Sequence, residues 1–285
     1  MRFYSPLRYP GGKNCIFKFV SSLFVENNLI GYSYAEPYAG GCGLALRLLF
    51  EEYVEKIYIN DLDIAIYAFW VSIVERNDEF CSWLEGVEIS IDTWKKYKKI
   101  YDSKDRNDLF ELAKATFFLN RTNVSGVIKG GVIGGFEQKG KYKIDARFKK
   151  DELVARIQKI ARYKNRIFIS NDDGITFTKR MNERSEKIFI YLDPPYYEKG
   201  ADLYMNYFSE NDHKNLSEYV KTMNKKWMVS YDNNEFILNL YAGINRVIYQ
   251  LSQSTSNRIG DEILMFSDTL SFTGSIAELK EPILL

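Results

Sequence analysis

Asp193, Pro194, Pro195 and Tyr196 follow directly on the apolar run Ile188-Phe189-Ile190 and Tyr191-Leu192. Their types suit one task, which is holding the exocyclic amino group of a planar base. A carboxylate at Asp193 accepts from the amino group. Proline has no backbone N–H, so Pro194 and Pro195 stiffen the turn and leave carbonyls free as acceptors. Tyr196 supplies a flat face for stacking. An amino nitrogen gripped in this way is placed to attack an electrophilic methyl group. The same four residues also fit an ordinary turn that ends a strand.

A second constellation lies upstream. Glu36-Pro37-Tyr38-Ala39-Gly40-Gly41-Cys42-Gly43 joins a short strand-like run, Tyr32 to Ala35, to an apolar helical segment, Leu44 to Phe50. A strand, a glycine turn and a helix let a nucleotide-like cofactor approach the backbone closely. A second strand, Lys56 to Asn60, ends in Asp61-Leu62-Asp63, where an acid is placed to bind ribose hydroxyls. A dinucleotide fold fits these features too. However, the spacing is not G-x-G-x-x-G, and S-adenosylmethionine, which has no phosphate, needs no phosphate loop.

The elements that must position these residues follow from periodicity. Strands are expected at Tyr32–Glu36, Lys56–Asn60, Arg166–Ser170, Lys187–Leu192 and Lys226–Ser230, separated by helical segments. That alternation predicts a parallel α/β sheet covered on both faces. Arg246–Leu251 and Glu262–Phe266, flanking the polar loop Ser252 to Asp261, predict a closing antiparallel pair. A capping-box-like start at Ser209-Glu210-Asn211-Asp212 predicts a helix toward Thr222. The long interval from Asp63 to Asn165 holds helical segments around Asp108–Asn120 and Asp151–Tyr163. Between them Arg121 to Phe148 is glycine-rich. Val127-Ile128, Val132-Ile133 and Phe136 predict strand edges of a hairpin thin enough to enter a DNA groove, with Lys129, Gln138 and Lys139 at its tips. A linker or a purely structural insertion has the same composition.

At this point the chain resembles a family: the bacterial and phage DNA adenine methylases in which the cofactor motif precedes the catalytic motif. The resemblance rests on Leu7-Arg8-Tyr9-Pro10-Gly11-Gly12-Lys13, Glu36 to Gly43, Asn60-Asp61, Phe118 to Gly126 (Phe-Leu-Asn-Arg-Thr-Asn-Val-Ser-Gly) and Asp193 to Tyr196, and it covers nearly the whole chain. One position departs, since Cys42 stands where some members carry glycine. The resemblance implies a seven-stranded Rossmann-like methyltransferase sheet with a reversed last hairpin. Residues 1–65 and 166–285 would form the catalytic domain and 66–165 an inserted helical and hairpin DNA-recognition lobe. It implies transfer of a methyl group from S-adenosylmethionine to N6 of an adenine flipped out of duplex DNA. The cofactor residues would be Tyr9, Gly11, Gly12, Lys13, Glu36, Pro37, Tyr38, Gly40, Gly41, Asp61 and Asp173, the last also suited to capping a helix, with Asp172 as a second choice. DNA contacts would come from Asn120, Arg121, Asn123, Ser125, Lys129, Gln138, Lys141, Lys143 and Arg147. A cognate restriction endonuclease is a partner compatible with this reading. The same tetrapeptide would also serve an adenine in RNA or the N4 of a DNA cytosine, or survive in a non-catalytic DNA-binding relative.

Bulk properties set outer limits. The 285 residues suffice for one substantial core with an inserted lobe, and 46% hydrophobic with 27% charged residues is ordinary for a soluble protein. Net charge is only +1, so a nucleic-acid partner is arguable only locally. From Lys139 to Arg166 eleven Lys and Arg face three acids, a local balance of +8 that suits phosphates or a solvated basic helix equally. Cys15, Cys42 and Cys81 are too few and scattered for disulfides or a zinc site and suit a reducing cytoplasm, and no metal is expected. His213, in a polar helix start, is expected at the surface. The N-terminus lacks the apolar segment of a signal peptide. Ala65 to Val74 is about half the roughly 20 residues needed to span a bilayer, so its aromatics are expected in the core and no membrane partner is expected.

Overall fold

The computed structural model describes residues 3–9, 11–197, 208–252 and 259–285. Eight strands form one mixed sheet: β1 (Ser33–Glu36), β2 (Ile57–Asn60), β3 (Ile167–Ser170), β4 (Ile188–Leu192), β5 (Lys226–Asp232), β6 (Asn245–Ser252), β7 (Ile259–Phe266) and β8 (Ile283–Leu284), in the order β3-β2-β1-β4-β5-β7-β6-β8. The expected count was seven. The additional strand is β8, two residues paired antiparallel to Val247 and Ile248 of β6. The chain divides into two compact units: Gly11–Leu62 with Asp172–Leu285, and Met1–Pro10 with Asp63–Asn171. The first residues therefore group with the inserted unit rather than with the sheet-bearing one.

In the larger unit, β1 pairs in parallel with β2 and β4, and β4 with β5. Tyr34 lies opposite both Ile57 and Phe189, and Ile190 opposite Trp227. Every residue of β1 and β4 is buried, as expected of parallel strands covered on both faces. Successive side chains alternate between those faces. Phe189 packs on Phe24 of α1 (Phe17–Glu26), with ring centroids 5.1 Å apart, and stacks on Tyr34. Ile188, Ile190 and Leu192 instead join Phe177 and Met181 of α8 (Gly174–Glu183), Leu216 and Val220 of α9 (Glu210–Val220) and Ile237 of α10 (Glu235–Leu240) in one core. Each such side chain contributes about 1.5–3 kcal/mol of burial. β7 then reverses direction, pairing antiparallel with β5 (Asp232 opposite Glu262) and with β6 (Tyr249 opposite Glu262). The closing pair is longer than expected and the loop correspondingly shorter; its residues 253–258 lie outside the described residues.

His213 does not sit at the surface. Ser209 and Asp212 form a full capping box, so the polar first turn belongs to the cap. Phe208 and His213 occupy the two positions flanking that cap, where a hydrophobic staple forms, and their rings are 5.2 Å apart. The imidazole is fully buried, and its Nδ1 lies 2.9 Å from the Tyr231 hydroxyl. Burial pushes its pKa down to about 4, against the opposing charge of Asp212.

The second unit is built on α3 (Ile64–Glu75), α4 (Asn77–Gly86), α5 (Ile91–Ser103), α6 (Leu109–Thr122) and α7 (Lys150–Ala161). Asp63, Ser90 and Asp108 cap the first N–H groups of α3, α5 and α6. α3 is apolar nearly all round and is correspondingly buried, with Phe69 stacked on Phe117 of α6 at 5.5 Å. α3, α4 and α5 are additional to the two helices read from the sequence. Among the described residues no helix is long and apolar enough to cross a membrane.

The expected hairpin between α6 and α7 is not there. The segment's strand-like pairing is one isolated antiparallel bridge, Asn123 to Val132. The Asn123 side chain explains the difference. Its amide donates to the carbonyls of Val127, Ile128 and Gly130, and its oxygen accepts from Trp94 Nε1. A side chain that takes three carbonyls out of so short a stretch competes with a strand ladder. Ser125, Gly126, Gly134, Gly135 and Gln138 all have left-handed backbone, which also breaks a strand. Gly126 is required by closeness as well as by φ. A Cβ there would lie 2.4 Å from the Arg8 carbonyl oxygen.

Candidate active site

The carboxyl ends of parallel strands share one edge of a sheet, where open α/β folds bind ligands. In the larger unit that edge carries Glu36 at the end of β1, Asn60 and Asp61 at the end of β2, and Asp193 just after β4. Because β7 is antiparallel, its early residue Glu262 pairs with Asp232 at the end of β5 and reaches the same edge.

The glycine turn is laced to β2. Ala39 N donates to Asn60 O (2.8 Å) and Gly40 N to Asp61 Oδ2 (2.9 Å), and Asn60 Nδ2 donates to the carbonyls of Pro37 and Asp172. Gly40 has φ 46° and Cys42 φ 51°. Cys42 therefore occupies a left-handed position that favours glycine, and its buried thiol fits there. Gly41 is buried in the same turn. Glu36 is buried, with Tyr34 Oη donating to its Oε1 at 2.9 Å. Burial, with Asp193 adding to it, pushes its pKa up to about 8, so it carries a proton at neutral pH. Among the described residues the buried Tyr38 hydroxyl has no hydrogen-bond partner. The Tyr38 ring lies against Gly174, where any Cβ would come within 2.4 Å of it. Asp173 caps α8 by accepting from Ile175 N and Thr176 N, the other role its position allowed. Asp172 pairs with Arg180 at 2.6 Å.

Gly11, with φ 74°, and Gly12 lead into a short 3-10 turn that starts at Lys13. Lys13 is buried and points at the tetrapeptide. Its Nζ lies 3.2 Å from Asp193 Oδ1, 3.1 Å from Glu262 Oε2 and 2.5 Å from Tyr196 Oη. Burial alone would lower its pKa, but Asp193 and Glu262 hold the ammonium well above the ordinary lysine range. Asp193 Oδ1 also accepts from Ser230 Oγ at 2.6 Å, and Ser230 in turn meets Tyr191 Oη. Burial raises the Asp193 pKa, Lys13 opposes that, and Glu262 adds to it. Tyr196 is buried and its hydroxyl donates to Glu262 Oε1, while Tyr249 Oη donates to Oε2. Pro194 is buried and Pro195 half-buried in the turn between Asp193 and Tyr196. Glu262, Ser230 and Tyr249 are candidate site residues that the sequence alone does not single out. The acid pair Asp261-Glu262 at the head of the apolar run Ile263–Phe266 is the available signal for Glu262, but its partner depends on strand register.

In the helical unit the candidate DNA contacts separate into two kinds. Asn120 and Asn123 are buried, and their hydrogen bonds are internal. Asn120 accepts from Arg8 N and donates to Arg8 O and Gly126 O. These two asparagines shape the loop. Gln138 does similar work, donating to Ile133 O and accepting from Ile144 N. Arg121 is half-buried and donates to Arg147 O at 2.8 Å. Burial and the nearby Arg8, Arg156 and Arg147 push its pKa down to about 9. Lys129, Lys141, Lys143 and Arg147 are exposed or half-exposed, and Ser125 is half-exposed. Tyr9 is half-buried in this unit; Pro10 lies outside the described residues.

Comparison with known proteins agrees with this geometry. The chain is similar to a type II methyltransferase, M.CviBI, of Paramecium bursaria Chlorella virus NC1A, at 23% identity over 235 residues, which are 81% of this chain and 86% of that protein. Residues 9–256, which include the glycine turn, Asp61 and Asp193–Tyr196, match a single family description over most of the chain, and on that match the chain belongs to the D12 class N6 adenine-specific DNA methyltransferases.

Proposed function

We propose that this enzyme takes its methyl group from S-adenosylmethionine and delivers it to an adenine turned out of duplex DNA into the edge lined by Glu36, Asp61 and Asp193. The observation that carries this is the convergence of the buried Glu36, the Asp61-braced glycine turn and the Asp193 carboxylate on one edge of one sheet. The cofactor residues fit a cationic nucleoside. Glu36 is a buried acid, the Tyr38 hydroxyl is an orphaned polar group beside the turn, and Asp61 is an acid after the second strand. When bound, the sulfonium supplies an activated methyl carbon.

The chain's own residues do the rest by positioning and electrostatics. An adenine inside a duplex must leave the stack to be reached. Tyr196 stacks on the flipped ring. Asp193 and the Pro194 carbonyl accept from its amino group, which would turn the nitrogen lone pair toward the methyl carbon; the N–C bond would form as the methyl–sulfur bond breaks, and the nitrogen would then give up one of the protons these acceptors hold. Lys141, Lys143, Lys129 and Arg147 supply phosphate contacts, and Arg121 braces the loop that carries Arg147. The three cysteines are free thiols, in keeping with a reducing cytoplasm. Similarity to a type II methyltransferase supports a cognate restriction endonuclease as a functional partner.

Equilibrium dialysis with labelled S-adenosylmethionine tests the cofactor half of this reading. Wild-type protein should bind it, and Asp61→Ala should weaken binding by the roughly 1.5–3 kcal/mol of a lost charged hydrogen bond. Failure of the wild type to bind, or an Asp61→Ala variant with undiminished affinity, contradicts the assignment.

A further inference from the structure

Glu262 is a charged residue 3% exposed, at the head of the apolar run Ile263–Phe266 of β7. Burying an isolated carboxylate costs several kcal/mol, so its partners must hold it. Among the described residues these are the Lys13 ammonium, the Tyr196 hydroxyl and the Tyr249 hydroxyl. The first two belong to the turn and the tetrapeptide that carry the proposed chemistry. We propose that Glu262 is a positioning residue for methyl transfer: it holds the Lys13 ammonium and the Tyr196 hydroxyl so that the Tyr196 ring is fixed and Asp193 turns one carboxylate oxygen to the base. This rests on the reading that Asp193 and Tyr196 receive the adenine.

Three observations support it. First, Asp193 Oδ1 is occupied by Lys13 and Ser230, while the side chain as a whole stays 22% exposed, leaving Oδ2 as the oxygen for an incoming amino group. Second, one ammonium is shared by two carboxylates. Lys13 is therefore held between Asp193 and Glu262 and is not committed to Asp193 alone. Third, the arrangement is imposed by the sheet. Tyr249 and Asp232 both pair with Glu262 in register, so its backbone position is fixed by two neighbouring strands.

The charged and titratable groups around Asp193 come from every adjoining element. They are Lys13 before α1, Glu36 on β1, Tyr191 on β4, Tyr231 on β5 and Glu262 on β7. Of these, Glu262 raises the Asp193 pKa and Lys13 lowers it. Removing the Glu262 charge should therefore let Asp193 ionise at lower pH.

Glu262→Gln in the full chain tests this, because it keeps the shape and one accepting oxygen and loses the charge. The expected result is a fall in kcat of up to about 100-fold, the scale of a small misplacement at a reacting centre. Affinity for S-adenosylmethionine should be largely retained, and the acid limb of the pH–rate profile should move to lower pH. An unchanged kcat together with an unmoved acid limb overturns the proposal. Should that variant not fold, Tyr196→Phe keeps the ring and removes the hydroxyl that Glu262 holds; a clear loss of kcat supports the proposal and an unaltered kcat overturns it. Asp193→Ala, run in parallel, separates the two levels, since retained turnover there sinks the reading of the site itself whatever Glu262 does.

Discussion

Glu36 is a buried and Asp193 a half-buried acid on one sheet edge, and each makes its own prediction. If Asp193 addresses the base, as proposed, Asp193→Ala should abolish turnover while sparing cofactor binding, measured by steady-state kinetics and calorimetry. A variant that turns over normally but fails to bind cofactor would reverse the assignment. Glu36 is protonated at neutral pH, with its pKa pushed up to about 8 by burial. A cationic cofactor prefers its ionised form, so binding must expel that proton. Affinity for S-adenosylmethionine should therefore rise as pH increases toward about 8 and then level off, and Glu36→Gln should flatten the curve. A wild-type affinity independent of pH between roughly 6 and 8, where the group titrates, contradicts this. The contiguous parts of the site are legible in the chain, because Asp193 to Tyr196 and Glu36 to Gly43 each carry their chemistry in neighbouring residues. Glu262, Ser230 and Tyr249 are not, because what joins them to Asp193 and Lys13 is antiparallel register, which no local spacing encodes.

At the scale of elements, apolar runs locate the strands to within a few residues, and the capping box locates α9. Both are local signals. The segment from Arg121 to Phe148 misleads because its glycines and apolar pairs suit a hairpin, while the side chain of Asn123 collects the carbonyls such a hairpin would use. His213 misleads for the complementary reason: a polar neighbourhood in sequence is the cap, and the histidine is the staple behind it. This placement has a measurable consequence. The folded state holds the imidazole neutral with a pKa of about 4 against an ordinary 6.5. The unfolded chain thus binds the proton first, and stability present above pH 6.5 is lost as pH falls toward 4, to a limit of about 3 kcal/mol. Urea titrations across that range should show the loss, and His213→Phe should shrink it. Equal acid sensitivity in wild type and variant would show that His213 is not the group responsible.

For the whole molecule, a net charge of +1 hides a basic block between Lys139 and Arg166 in the helical unit. If that block meets phosphates, affinity for duplex DNA should fall steeply with salt. Replacing the exposed Lys141 and Lys143 by Ala should weaken binding to every sequence and reduce the salt slope by up to about 0.9 for each phosphate no longer neutralised. An unchanged slope would remove these two residues from the DNA interface. Family membership makes the reaction an N6 methylation of DNA adenine, which we propose takes place at Asp193, at the carboxyl edge of the sheet, with S-adenosylmethionine as donor. The most direct measurement uses S-adenosylmethionine labelled in its methyl group, duplex DNA, and wild-type or Asp193→Ala protein, followed by nucleoside analysis. Label should appear in N6-methyladenine with the wild type and be absent with the variant. Label on cytosine, on RNA in preference to DNA, or on adenine at the wild-type rate with Asp193→Ala would contradict the proposal.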